Sequence, residues 1–465
     1  MKLRSNQETI LNALKSNNKG IISCPTGGGK TLCFIEDSRR FLKPGNVILV
    51  VAPQLMLSEQ LFNEFDKHLN DVDFMYRQIC SEPKTFQRNR NNLNFRVIPP
   101  LPSTTVVEEI KDTYRISQKV NKPLILFVTY DSLDRIIDSK IPVSVAYYDE
   151  AHNATSSSNF KKVESLSKKC KYNYFFTATP RYSESRSPNS SGMDNVNVYG
   201  EIIANIKFTD LVEQGSIVRP HIHLMKSDAN HNKMNETSVN METIKEVIEH
   251  YETNHNDTKA HKILFCAQGT KSIKDLLDGG LQQLADSKGY KVLTIDSVNQ
   301  GYIDSKKKIA KSQFIETLNA LGQDPEQKLI VLHYSMLGEG IDVKSFTGVV
   351  FLRNTLSSIF ATQSMGRVIR SSPGKKYGIV TVVQHESSTK ESEELIRNIV
   401  HTLIRQGVPV SEIFAEVSGK GKIKDTVEDV DMDKLNRSIN TYAIQFEHNN
   451  ILKELLELPV SEIVL

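Results

Sequence analysis

Residues 21–31, IISCPTGGGKT, run from a short apolar stretch into a proline, a threonine and three glycines, and then meet Lys30 and Thr31. Backbone N–H groups can wrap a polyphosphate only where side chains are absent, and Gly27, Gly28 and Gly29 remove the Cβ atoms that would block it. The segment reads as a phosphate-binding loop, with Pro25 and Thr26 in its bend, set between a buried strand and a helix. In that reading Lys30 reaches the β- and γ-phosphates of a nucleotide and the Thr31 hydroxyl ligates Mg²⁺. The general pattern G-x-x-x-x-G-K-[ST] wants glycine where Cys24 stands, so a plain glycine-rich turn stays open on this stretch alone. A second acidic motif at another strand end decides between them.

The rest of the composition sets bounds. At 465 residues, and with roughly 100–200 residues per domain, two or three domains with ample core are expected. The formal charge of +3 is close to neutral, so any nucleic-acid surface must be local. Cys24, Cys33, Cys80, Cys170 and Cys266 form no C-x-x-C pair and have no histidine at ligand spacing, which argues against zinc and against a disulfide framework. No apolar run approaches the roughly 18 residues of a membrane span. A soluble, intracellular protein without membrane partners is expected. Its oligomeric state stays open, and a monomer suffices.

Outward from the loop, residues 7–14 have helical periodicity. Apolar runs at 47–52, 124–128, 143–148 and 174–176 read as strands buried on both faces of a parallel sheet. Residues 71–123 read as an insertion, with Arg77, Lys84, Arg88, Arg90 and Arg96 interleaved with Phe86 and Phe95. Such a mixture can hold single strands or can simply be a solvated loop. Glu109-Ile110-Lys111 sits in helical sequence without an acidic partner motif, and no nuclease is assigned. Residues 200–223 read as chain returning across the first domain, followed by a polar stretch without periodicity. A second strand series, 262–266, 291–295, 329–333, 348–352 and 378–383, predicts another doubly wound sheet. The expected division is a first domain over 1–225, a linker over 226–240, a second domain over 241–386 and a helical extension over 387–465. His221 and His223 alternate as strand residues do, without ligand partners.

The acidic motif is present: Asp149, Glu150, Ala151 and His152 follow the strand at 143–148. Adjacent carboxylates at one strand end suit two jobs, Asp149 holding Mg²⁺ through its water shell and Glu150 deprotonating the attacking water. Downstream, QSMGRVIR at 363–370 carries Gln363, Gly366, Arg367 and Arg370 at spacings that share one helix face. A salt-bridged surface helix would not require Gly366.

With loop, DEAH, TAT and QSMGRVIR in that order, the chain resembles a superfamily 2 DEXH-type helicase or translocase, of the restriction and DNA-repair kind. The resemblance implies two tandem RecA-like α/β domains with parallel sheets that close on ATP. It implies that Arg4 and Gln7 read adenine, and that Pro53 and Gln54, Thr129 and Tyr130, and Gln268 and Thr270 contact nucleic acid. Thr177 and Thr179, with His152, would couple phosphate state to movement. Gly340 and Asp342 in LGEGIDV would face the nucleotide, and Gln363, Arg367 and Arg370 would act on its phosphates. The function expected is an ATP- and Mg²⁺-dependent helicase or translocase, with DNA favoured over RNA. A duplex translocase without strand separation, an RNA helicase, and a binding module whose affinity ATP merely switches are the rivals.

Overall fold

The computed structural model describes residues 3–418, apart from 54, 82–100, 184–189, 228, 230–233, 257, 296–300, 305–306, 310, 335–344, 353–357, 386–391, 393–394, 397, 401, 404–407 and 409–413. The chain forms two compact units, Met1–Leu211 and Val212–Leu465.

The first unit is built on a seven-stranded, wholly parallel sheet of β1 (Lys19–Ser23), β2 (Val47–Ala52), β3 (Met75–Ile79), β4 (Leu124–Thr129), β5 (Val145–Tyr148), β6 (Tyr172–Thr177) and β7 (Ile202–Asn205). Their spatial order is β3-β4-β2-β5-β6-β1-β7. β2, VILVVA, and β4, LILFVT, are buried along their whole length, as continuous apolar strands covered on both faces must be. The helix α1 (Ser5–Ser16) buries Ile10, Leu11 and Leu14. The helix α2 (Lys30–Ser38) lays Phe34 against Tyr147 and Phe176, ring centroids 5.8 and 5.2 Å away.

Two elements correct the insertion expected at 71–123. MYRQI forms the edge strand β3, parallel to β4, and Val107–Lys119 forms a helix whose Ile110 is fully buried in the core. The sequence signal was hidden by Arg77, a charge inside a strand. Arg77 is 6% exposed, pairs with the Glu109 carboxylate, and donates to Thr113 Oγ1 at 2.8 Å and to the Pro102 carbonyl at 3.0 Å. It is a buried structural cation, not a nucleic-acid contact, and Glu109 is its counter-charge. Lys84, Phe86, Arg88, Arg90, Phe95 and Arg96 lie outside the described residues.

The second unit has a nine-stranded sheet: β8 (Arg219–Lys226), β9 (Lys262–Cys266), β10 (Tyr290–Ile295), β11 (Gly301–Ile303), β12 (Lys307–Ile309), β13 (Lys328–His333), β14 (Gly348–Phe351), β15 (Tyr377–Gln384) and β16 (Phe414–Ser418). The order is β12-β11-β10-β13-β9-β14-β15-β8-β16. All pairs are parallel except β10-β11 and β11-β12. The helix Glu236–Asn254 buries Ile244, Val247, Ile248 and Tyr251 in the same core as Ile263, Phe265, Ile330 and Val350.

The strand PHIHL does not return across the first sheet. β8 pairs with β15 over its whole length, so the division falls at 211/212 rather than at 225/226. Polarity marked the 226–240 stretch as a connection, but the preceding strand is already part of the second sheet. The extension is not helical throughout either, since β16 adds to β8. Leu395, Ile396, Ile399, Val400 and Leu403 are buried as one helix face would require. Residues 419–465 of the expected extension lie outside the described residues.

Candidate active site

The phosphate loop leaves β1 at its C-terminal end. Gly27 and Gly29 have φ of 89° and 80°, the left-handed region in which a Cβ is strained. Gly28 is required for space: a Cβ there would lie 2.2 Å from Cys24 Sγ. The side chain that breaks the general pattern is thus buried beneath the loop, where the absent Gly28 side chain makes room for it. Burial pushes the Cys24 thiol up to about 11, against the opposing pull of Lys30 and Arg4.

The helix α2 begins at Lys30, and its N-cap Gly29 offers no side-chain acceptor. The first-turn N–H groups therefore suit an anion. Lys30 is 8% exposed, and its ammonium donates to the Cys24 carbonyl at 3.1 Å. Thr31 is half-buried beside it.

The start of α1 packs on this loop. A Cβ on Gly29 would lie 2.4 Å from Gln7 Nε2 and 2.5 Å from Arg4 Nη2, so both residues expected at the adenine side do reach the cradle. Gln7 is buried, with Oε1 accepting from the Arg4 N–H at 3.0 Å. Asn6, which the sequence reading passed over, donates from Nδ2 to the Gly28 carbonyl at 2.8 Å.

The acidic turn leaves β5, two strands away across β6. Asp149 is 7% exposed, and its N–H donates to the Val51 carbonyl at 2.9 Å. Glu150 has φ 45° and ψ 52°, a left-handed backbone that a glutamate adopts at a cost of about 1–3 kcal/mol. Its carbonyl oxygen accepts from both the N–H and Nδ2 of Asn153, at 2.9 and 3.0 Å.

His152 lies 2% exposed behind the turn. Its Nδ1 is 3.1 Å from Thr177 Oγ1, 3.5 Å from Glu150 Oε2 and 3.5 Å from Thr179 Oγ1. Asn153 Nδ2, which can only donate, stands 3.2 Å from Nε2, so the ring proton belongs on Nδ1. Burial lowers the His152 pKa, Glu150 opposing and Arg181 and Lys30 assisting. Thr177 is the joint: its carbonyl accepts the Cys24 N–H at 2.9 Å while its hydroxyl faces His152. Loop, DEAH turn and TAT are thereby hydrogen-bonded into one assembly at the strand ends.

Several expected contacts are placed differently. Tyr130 is 1% exposed and donates to the Asp149 carbonyl at 3.0 Å. Thr129 is 9% exposed and donates to Ser132 Oγ at 3.1 Å. Both are turned inward, so in this conformation neither offers a side chain to nucleic acid. Pro53 is half-buried after β2, and Gln54 lies outside the described residues.

In the second unit, Gln268 is exposed with Nε2 3.3 Å from the Leu352 carbonyl, and Thr270 opens the helix Thr270–Asp278. The QSMGRVIR segment is only partly helical. The helix Ser358–Val368 carries half-buried Gln363 and Arg367, which is 6% exposed. It ends before Arg370, which instead makes an antiparallel bridge with Ile217. The expected single helix face therefore does not extend to Arg370, and next to it the Ile369 carbonyl accepts the Val218 N–H at 2.7 Å. Lys375, also passed over, donates to the Arg370 carbonyl at 3.0 Å and to that of Phe346. Gly340 and Asp342 lie outside the described residues. Among the described residues no group of three or more His, Cys, Asp or Glu side chains is placed to hold a metal ion, and no helix is long and apolar enough to cross a membrane.

A parallel α/β sheet with a glycine loop at one strand end and a carboxylate pair at another defines a P-loop nucleotide-binding fold of RecA type. Comparison with known proteins agrees. Residues 1–182 match the family described as "Type III restriction enzyme, res subunit".

Among solved structures, the Type ISP restriction-modification enzyme LlaBIII, bound to DNA, aligns with TM-score 0.67 at 17% identity over 96% of this chain. A nuclease-deletion mutant of the Type ISP enzyme LlaGI, in complex with a DNA substrate mimic, aligns with TM-score 0.63 at 17% identity over 98% of this chain. The chain spans 33% of the length of each. A point variant of Dbp5 from S. cerevisiae, bound to RNA and ADP BeF3, aligns with TM-score 0.56 at 14% identity over 95% of this chain and 94% of its own. No curated protein matches the sequence. These likenesses show the fold, tandem RecA-like units with parallel sheets, and the res-subunit match is confined to the first of them.

Proposed function

We propose that this chain is the ATP-hydrolysing motor of a nucleic-acid helicase or translocase acting on DNA. The observation that carries the reading is the double engagement of Thr177, carbonyl to the phosphate loop at Cys24 and hydroxyl to His152 behind Glu150. A structural glycine turn has no reason to share a hydrogen-bonded joint with an acidic pair.

The donor set fits a magnesium–triphosphate. The glycines and the uncapped start of α2 supply N–H groups, and Lys30 can exchange its bond to the Cys24 carbonyl for one to phosphate oxygens. Thr31 and Asp149 would hold Mg²⁺, which supplies charge neutralisation on the phosphates. Glu150, held in its left-handed turn, takes the proton of the attacking water. Gln363, Arg367 and Arg370 are assigned the phosphoryl charge, a role worth about 10³–10⁵ in rate where an arginine serves it in other proteins. DNA is favoured over RNA because the family match and the two Type ISP structures are restriction systems.

The test is ATP hydrolysis with and without single- and double-stranded DNA and RNA, beside strand displacement on forked and blunt substrates. DNA-stimulated hydrolysis is expected, and Glu150→Gln should bind ATP yet turn over little. Absence of hydrolysis with every polymer, or near-normal turnover in Glu150→Gln, would sink the reading. Stimulation by duplex without displacement would make the chain a translocase, and stimulation by RNA alone an RNA helicase.

A further inference from the structure

We propose that Asn6 is a positioning residue for the phosphate loop, setting the peptide orientation on which nucleotide phosphate binding depends. The inference deepens the ATPase reading and rests on it.

The side chain of Asn6 is 3% exposed, sits in the first turn of α1, and donates from Nδ2 to the carbonyl oxygen of Gly28 at 2.8 Å, across 22 residues of sequence. The amide cannot be reversed, because Oδ1 in the same place would meet an acceptor with an acceptor. A trans peptide carries its C=O and the following N–H on opposite sides. Holding the Gly28 carbonyl on Asn6 therefore turns the Gly29 N–H away from α1.

Glycine has no side chain to enforce that choice. The torsions on either side of the Gly28–Gly29 peptide both belong to glycines, Gly29 with φ of 80°, so the peptide could otherwise rotate at small steric cost. Inverted, it would present a carbonyl where the cradle needs a donor.

A second observation bears on what this hydrogen bond costs. Asn6 Oδ1 is buried and has no hydrogen-bond partner among the described residues. Here one end is left unmet at a cost while the other grips the loop, and a leucine of the same branched outline would avoid that cost. Stability and loop orientation thus make opposite demands at position 6, and the native residue meets the second.

The experiment measures binding of Mg-ATP and of inorganic tripolyphosphate to the full chain by calorimetry, with thermal unfolding of the same samples, for wild type, Asn6→Leu and Asn6→Asp. Asn6→Leu removes the donor, and Asn6→Asp sets a carboxylate against the Gly28 carbonyl. Both are expected to weaken ATP and tripolyphosphate by a similar factor, tenfold or more, while Asn6→Leu unfolds at the wild-type temperature or above.

Unchanged affinity in a folded variant overturns the proposal, as does a loss confined to ATP, which would mean contact with the base. Should both variants fail to fold, Asn6→Ser, which keeps a donor on a shorter arm, is read instead. It is expected to bind less tightly than wild type, and equal affinity overturns the proposal. Failure of the wild type to bind either ligand is a separate result, which removes the ATPase reading itself.

Discussion

The Tyr130 hydroxyl donates to the main-chain carbonyl oxygen of Asp149 at 3.0 Å, tying the turn after β4 to the carboxylate pair from inside the sheet. Burial, with Asp149 beside it, pushes the phenol well above its ordinary pKa, so it stays a neutral donor. Tyr130→Phe should cost about 0.5–1.5 kcal/mol of stability by removing that hydrogen bond, and should slow ATP turnover with DNA affinity unchanged. Denaturant unfolding and a DNA-binding isotherm check this. A loss of DNA affinity without a loss of turnover would restore the nucleic-acid contact expected from the motif.

Glu150 separates chemistry from backbone strain. Glu150→Gln should keep native stability and lose hydrolysis. Glu150→Gly should lose hydrolysis equally, yet gain up to about 1 kcal/mol because glycine accepts φ 45° without strain. Equal unfolding midpoints for the two variants would show that the turn is not under strain.

Lys375 should matter to turnover although it lies outside the motif. Its ammonium serves the carbonyls of Arg370 and Phe346, and Lys375→Met leaves both without that donor. A several-fold fall in the ATP turnover number, with the KM for ATP changed less, is expected from single-substrate kinetics. An unaltered turnover number would show that Arg370 is held sufficiently by its bridge to Ile217.

Acid should weaken the second unit through His261. The ring is 1% exposed and packs edge-on to Tyr251 at 5.4 Å. Burial, then His255, push its pKa from 6.5 down to about 4, Lys328 assisting and Glu252 opposing. Above pH 6.5 neither state binds the proton and the full stability is present. As the pH falls from 6.5 toward 4, the unfolded chain binds a proton that the folded chain refuses, so stability is lost across that window. His261→Gln should flatten the loss, as denaturant midpoints across that range would show.

The fold was legible wherever strands are continuously apolar: VILVVA, LILFVT, KILFC and GVVF each became a buried parallel strand. It was illegible where burial is achieved by pairing rather than by apolarity. MYRQI hides its strand because Arg77 is neutralised by Glu109, thirty-two positions away, and no local pattern records that. At the site, motif residues whose backbone or side chain must face phosphate could be picked out by type. Supporting residues could not, since Asn6, Asn153 and Lys375 act through hydrogen bonds to carbonyls and any donor of suitable length would look the same. Tyr130 shows the converse, a motif letter whose side chain points inward.

The placement of β8 between β15 and β16 bears on how the chain can be divided. Cutting at the polar stretch after residue 226 would remove an interior strand from the second sheet, bare the edge of β15 and strand β16 with nothing to pair against. An excised second half should therefore aggregate unless it begins before Arg219, and the shortest autonomous piece carries the stretch that looks, by position, like the tail of the first.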